Sequence, residues 1–183
     1  MSAKPKIILL FLVLLAASLA FGQGGGGGKA AITLRGRGQT LILTTGGVRR
    51  TLSVKDEILA AFLNEVKLLY VSRAEPFTYL VVDACGPSKA VPDARMCGAA
   101  DECSLLWIKL DRSWKIRDIK SARYESCWKS STSTDGYKVS GQQLRMEYDD
   151  FSEKKSYKLS YDAEQPERGF QIEESALEDT DSN

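Results

Sequence analysis

The 183-residue sequence contains no histidine, and this absence excludes a wide range of chemistry. Histidine is the commonest general base and the commonest ligand of transition metals. Ser-His-Asp and Cys-His catalytic sets are therefore excluded outright. The five-glycine run at 24–28 lacks the following Lys-Ser/Thr of a phosphate-binding loop. We expect no catalytic residues, no cofactor and no metal ion.

A strong excess of one charge is also missing, since 25 basic residues face 24 acidic ones. A near-neutral chain is not typical of nucleic-acid binding. The charge is nevertheless uneven. Residues 29–73 carry eight basic and three acidic groups, residues 107–130 carry seven and three, and residues 147–183 carry four and twelve. We favour neighbouring basic and acidic strands, or an acidic tail that folds back, as the explanation. The other interpretation is a basic face for an anionic partner such as a polyanionic wall polymer.

Long apolar runs are missing except at the N-terminus. Residues 7–20 are apolar or small, a run shorter than the roughly 20 residues that span a membrane. Lys4 and Lys6 precede the run, and a small-x-small site at 20–22 follows it. This is the pattern of a cleaved signal peptide, here 1–22. The sequence therefore predicts a secreted or periplasmic protein with no stable membrane insertion after cleavage.

Cysteine is scarce but even in number: Cys85, Cys97, Cys103 and Cys127. Four cysteines in an exported domain predict two disulfides, with three possible pairings. The spacing does not fit the close pairs of a zinc site. We favour Cys97–Cys103 with Cys85–Cys127, and next Cys85–Cys97 with Cys103–Cys127.

Apolar residues alternate with polar ones along most of the chain, with turn residues every 8–12 positions. This period predicts antiparallel β-strands. Two stripes, 144–148 and 157–161, should face each other across a hairpin, and a bulge is expected near Arg117 and Asp118. The fold class is therefore mainly β, an antiparallel sandwich or flattened barrel of about 8–10 strands.

Three further boundaries follow from local composition. Apolar residues recur at helical spacing within 55–66, which predicts one short amphipathic helix against the sheet. Residues 23–29 read as a flexible glycine-rich tether. Residues 30–175 form a single β-rich domain, and 176–183 form an acidic disordered tail.

The segment 84–103 is the one long irregular stretch inside the predicted domain. Loops of this length are uncommon in compact domains and are often functional. Cysteines near its ends would make it rigid, and a rigid loop loses little entropy on binding. The candidate partner-binding residues on it are Pro87, Pro92, Arg95, Met96, Asp101 and Glu102.

These features predict a small exported binding or inhibitory module that acts on a protein partner through the loop, with no catalysis of its own. The partner would lie in the cell envelope or the extracellular space. An alternative is a structural or accessory component of the envelope. A third is a histidine-free hydrolase built on Asp83, Asp101 or Glu102, which needs two carboxyl groups about 5–9.5 Å apart. Asp83 itself is first interpreted as a cap at a strand end.

The alternation of apolar and polar residues also indicates where two tryptophans lie, Trp107 and Trp114. Trp107 lies on the face opposite Leu106 and Ile108, which leaves two alternatives: it is exposed, or a second layer covers it. Trp114 shares its face with Ile116 and is expected in the core of the return strand.

Overall fold

β-Strands dominate the computed structural model, which describes residues 31–89, 97 and 100–177. The strands in these ranges are β1 (Thr33–Arg37), β2 (Thr40–Thr45), β3 (Val48–Ser53), β4 (Glu65–Ala74), β5 (Phe77–Pro87), β6 (Asp101–Leu110), β7 (Ile116–Glu125), β8 (Ser131–Thr132), β9 (Tyr137–Ser140), β10 (Gln143–Asp150), β11 (Lys155–Asp162) and β12 (Gln171–Ala176). A single 3₁₀ turn, Pro166–Arg168, precedes β12. The predicted signal peptide, the tether and most of the predicted tail lie outside the described residues.

The strands form three antiparallel sheets arranged as layers. The N-terminal sheet has the order β1-β2-β3 and the central sheet the order β4-β5-β6-β7. The C-terminal sheet has the order β12-β11-β10-β8, with β9 also paired to β10. Buried apolar residues fall into two clusters, one on each face of the central sheet. The predicted antiparallel β fold is confirmed, with three layers and more strands than expected because β8 and β9 are short.

Strands β5 and β6 are buried on both faces. Tyr79 and Val81 pack towards the C-terminal sheet, whereas Leu80 and Val82 pack towards the N-terminal sheet. A strand covered on both sides carries a continuous apolar run instead of an alternating one. Trp107 of β6 is only 2% exposed, so of the two alternatives for this residue, burial under a second layer is the one that holds.

The two predicted aromatic and aliphatic stripes of the C-terminal sheet face each other as expected. Leu144 pairs with Tyr161, and Tyr148 pairs with Tyr157, in the β10–β11 register. The rings of Tyr148 and Tyr157 stack with their centroids 5.0 Å apart. All four side chains belong to the cluster between this sheet and the central one or pack against it.

The helix predicted over 55–66 is wrong: no α-helix forms in this described segment. Its backbone groups bond to the sheets instead. The N–H of Leu63 donates to the Gly38 carbonyl at 2.7 Å, and the N–H of Asn64 donates to the Cys85 carbonyl at 3.1 Å. These tertiary hydrogen bonds replace the i to i−4 bonds of a helix, so the segment fills the space between two sheets as a series of turns and bends.

The turn between β6 and β7 combines one confirmed prediction and one error. Lys109 pairs with Asp118 and Leu110 pairs with Ile116, which leaves Arg117 as the extra residue of a bulge where one was predicted. Trp114 does not lie on the return strand but in the turn before it, with φ 63°. This left-handed conformation is unfavourable by about 1–2 kcal/mol for a residue with a side chain.

Candidate functional site

Two disulfides are present, but both favoured pairings are wrong. Cys85 bonds to Cys103 and Cys97 bonds to Cys127, with Cα atoms 4.2 Å and 5.5 Å apart. The reason is the register of β5 and β6, in which Cys85 lies directly opposite Cys103. Distance along the chain is a poor guide to pairing once two strands bring distant residues face to face.

The predicted loop 84–103 is shorter than expected, because its ends continue the two strands. Pro87 pairs with Asp101, and Gly86 pairs with Glu102, so the connection between β5 and β6 spans 88–100, of which the structure describes residues 88, 89, 97 and 100. Of the candidate partner-binding residues, Pro87, Asp101 and Glu102 are thus strand residues at the base of the connection. The other three, Pro92, Arg95 and Met96, lie outside the described residues.

The base of the connection is fixed by several bonds at once. The N–H of Ser88 donates to the Ala100 carbonyl at 2.9 Å, and its hydroxyl donates to Glu102 Oε1 at 2.6 Å. Glu102 is 2% exposed, and its Oε2 has no hydrogen-bond partner among the residues that the structure describes. The bond from Cys97 to Cys127 ties the connection to the chain that follows β7.

A close backbone approach lies under this base. A Cβ atom on Gly86 would meet the Phe62 carbonyl oxygen, 1.8 Å away. Ala60 forms an isolated antiparallel bridge with Ser88 next to it. Glycine is therefore required at 86 because any side chain would push the 60–64 segment away from the end of β5.

Asp83 forms a buried cluster with two tyrosines. The Tyr124 hydroxyl donates to its Oδ1 at 2.9 Å, and the Tyr137 hydroxyl donates to its Oδ2 at 3.0 Å. Burial raises the pKa of Asp83, the two tyrosine hydrogen bonds oppose this rise, Glu65 adds to it and Lys67 opposes it. Burial, followed by the charge of Asp83, raises the pKa values of Tyr124 and Tyr137 as well.

Asp83 is therefore not the strand-end cap that the sequence suggested. It lies within β5, which continues to Pro87, and it is 8% exposed. Its partners Tyr124 and Tyr137 are 41 and 54 positions further along the chain. No local sequence signal identifies such partners, because only the strand pairing brings them to the carboxylate.

The three carboxylates of the hydrolase interpretation do not converge. Asp83 shares a face of the central sheet with Val81, whereas Glu102 shares the opposite face with Leu106. Asp101 is exposed and lies opposite Pro87, about 13 Å along the strand from Asp83. A glycosidase pair needs carboxyl groups within about 9.5 Å across one cleft. The arrangement supplies no such shared cleft for these residues.

The basic residues of the N-terminal sheet remain uncompensated. Arg35, Arg37, Arg49 and Arg50 lie on it, and no acidic residue occurs from Thr33 to Ser53. None of these arginines takes part in the ion pairs found among the described residues. The acidic C-terminal sheet lies on the other face of the central sheet. Neighbouring basic and acidic strands therefore do not explain the charge of the N-terminal sheet.

Comparison of the chain with protein-family models, curated proteins and solved structures finds no match in any of the three. Within 31–89, 97 and 100–177, no helix has both the length and the apolar character needed to cross a membrane. The class that the fold defines is a three-layer antiparallel β protein with two disulfides.

Proposed function

We propose that this protein is an exported, non-catalytic binding module that acts on a protein partner through the connection between β5 and β6. The observation that carries the proposal is the double disulfide anchorage of this connection. Disulfides persist in oxidising compartments, which supports a secreted or periplasmic location. The signal-peptide pattern of residues 1–22 supports the same location.

The physical advantage of the anchorage is entropic. Ordering one residue of a free chain costs roughly 1–2 kcal/mol, so a long free loop loses much of its binding energy on ordering. Cys97 divides the connection into two shorter arms, because it is fixed to Cys127 outside it. The Ser88–Glu102 hydrogen bond and the Cys85–Cys103 bond fix the other ends. Less freedom is then left to lose when a partner binds.

Cross-linking capture from native envelope extract tests the proposal. The oxidised protein is compared with the Arg95→Ala/Met96→Ala variant, which removes one cation and one apolar side chain from the connection. Arg145→Ala/Val139→Ala is the matched control, since both residues are exposed on the C-terminal sheet. We expect one partner to be captured by the protein and by the control, and to be lost with the first variant.

Two results would contradict the proposal. Equal capture by all three proteins would place the binding surface elsewhere. A failure of the oxidised protein to capture any partner would remove the binding function itself.

A further inference from the structure

Strand β3 has an open edge. It is the last strand of the N-terminal sheet, and among the described residues no strand pairs with its other side. Five of its six residues are exposed. The N–H of Val54, which follows the strand, donates to the Gln39 carbonyl at 3.2 Å. Because bonding alternates along an antiparallel ladder, the N–H and C=O groups of Arg49 and Thr51 point outwards.

A cleft lies between the second half of this edge and the turn before β7. It has a volume of about 510 Å³ and is lined by residues 50–53 and 113–116. Trp114 and Ile116 pack against the N-terminal apolar cluster and give the cleft an apolar wall. Arg50 and Lys115 add two cationic groups to its lining.

The backbone of Trp114 is unusual for a residue of its size. Its φ of 63° belongs to the left-handed region, where glycine is normally found. The turn that imposes this angle is fixed by Asp111, whose Oδ1 accepts hydrogen bonds from the N–H groups of Ser113 and Lys115. Strained backbone of this kind clusters at binding sites. A bulky indole in a glycine position is thus explained by what it contributes to the cleft.

We propose that the β3 edge and the Trp114 cleft together bind an extended acidic segment of a partner protein by strand addition. The segment's backbone pairs with the outward groups of β3, as in other complexes of this type. Its carboxylates lie beside Arg49, and its apolar side chains lie on the opposite face of the added strand, where one packs on Trp114.

The chemical class of the bound segment follows from the cationic side chains and backbone groups of this surface that have no partner among the described residues. None of the ion pairs among the described residues involves Arg49, Arg50 or Lys115, so their charges are available to an anion. A polyanionic sugar would also neutralise these cations, but an extended peptide in addition matches the regular alternation of N–H and C=O groups along the β3 edge. A peptide with carboxylates satisfies both requirements.

This surface is distinct from the β5–β6 connection. The turn that holds Trp114 follows the last residue of β6, whereas the connection precedes its first. Ten residues of strand separate the two by about 30 Å. A failed test at one surface therefore leaves the other unaffected.

The test uses a capped, fluorescently labelled peptide of alternating glutamate and valine, titrated into the oxidised protein. Thr51→Pro removes an outward N–H without breaking the β2–β3 ladder. Arg49→Glu reverses the charge that faces the carboxylates, and Arg145→Glu on the C-terminal sheet is its matched control. We expect at least about tenfold weaker binding for the first two variants and unchanged binding for the control.

Trp114→Gly tests the apolar wall of the cleft. Glycine suits the left-handed position, but the variant loses the packing of the indole on the N-terminal apolar cluster, so we expect a lower thermal unfolding temperature. At a temperature where the variant is still folded, we expect the peptide to bind at least about tenfold more weakly. Unchanged peptide affinity in this variant would remove Trp114 from the proposed site.

Peptide variants provide a test that does not depend on the folding of any protein variant. One peptide carries N-methylated valines and another N-methylated glutamates, and strand addition requires that one of them lose binding. If both N-methylated peptides bound as tightly as the unmodified peptide, strand addition would be overturned. Equal binding of a lysine-for-glutamate peptide would overturn the charge requirement, and no binding of the acidic peptide at about 1 mM would overturn the site.

Discussion

Replacing Gly86 with alanine should destabilise the fold far more than a glycine-to-alanine change usually does. The new Cβ would lie 1.8 Å from the Phe62 carbonyl oxygen, whereas non-bonded heavy atoms pack at about 3.5 Å or more. The atom in the way belongs to the backbone, so no side-chain rotation relieves the contact. The 60–64 segment and the end of β5 must therefore move apart by more than about 1 Å.

The magnitude follows from what this movement breaks. Two backbone hydrogen bonds flank Gly86, from the N–H of Asn64 to the Cys85 carbonyl and from the N–H of Ala61 to the Pro87 carbonyl. Each contributes about 1 kcal/mol to the free energy of unfolding, and overpacking adds about 1–3 kcal/mol. The expected loss is therefore about 3–5 kcal/mol, or roughly 10 °C in Tm.

Urea unfolding of the oxidised proteins, followed by tryptophan fluorescence, measures this loss. Gly141→Ala is the matched control, since Gly141 has φ 58° and nothing within 4 Å of its Cβ position. The control should lose only the left-handed penalty of about 1–2 kcal/mol. If Gly86→Ala were no less stable than Gly141→Ala, the close packing of 60–64 against β5 would be refuted.

Two further predictions concern stability. Removing the longer disulfide with Cys97→Ala/Cys127→Ala should lower the free energy of unfolding by about 3.5 kcal/mol in the chain-entropy estimate for a separation of 30 residues; a loss under about 1 kcal/mol would show that the bond hardly restricts the unfolded chain. Because burial raises the pKa of Asp83, its contribution to stability is complete below about pH 4 and is lost as the pH rises through the raised value. Urea unfolding of Asp83→Asn and the wild type from about pH 4 to 7 should therefore favour the variant increasingly as the pH rises, and a pH-independent difference would contradict the raised pKa.

The β fold was predictable because alternation survives wherever a strand has one covered face. Strands β10 and β11 have this pattern, and the stripes 144–148 and 157–161 face each other as predicted from it. The segment 55–66 was wrongly predicted to be a helix, and the reason is physical. Its apolar spacing fits a helix, but its peptide groups have partners in two sheets, which no local pattern reveals.

The candidate site was less predictable than the fold. Gly86 and Pro87 suggested an irregular loop, yet β5 includes both, since proline is tolerated as the last residue of a strand. The Cys85–Cys103 pairing follows from the register of β5 with β6, and not from the spacing of the cysteines along the chain. Trp114 packs against the N-terminal apolar cluster together with Ile116, as alternation predicted, but it precedes β7 and has a left-handed backbone, which alternation does not reveal.

The double burial of β5 and β6 has a consequence for how the chain finds its fold. In an ordinary sheet, slippage by one residue moves apolar side chains into water and is rejected for that reason. Here both faces of the central hairpin are covered, so a slipped hairpin would still bury apolar groups on each side. The positions of the two cysteines distinguish the native register from a slipped one, which the burial of apolar side chains alone does not. Cys85 lies opposite Cys103 in the native register alone, and a shift of one position directs their sulfurs to opposite faces. The Cys85–Cys103 disulfide is therefore compatible with the native register and incompatible with a shift of one position.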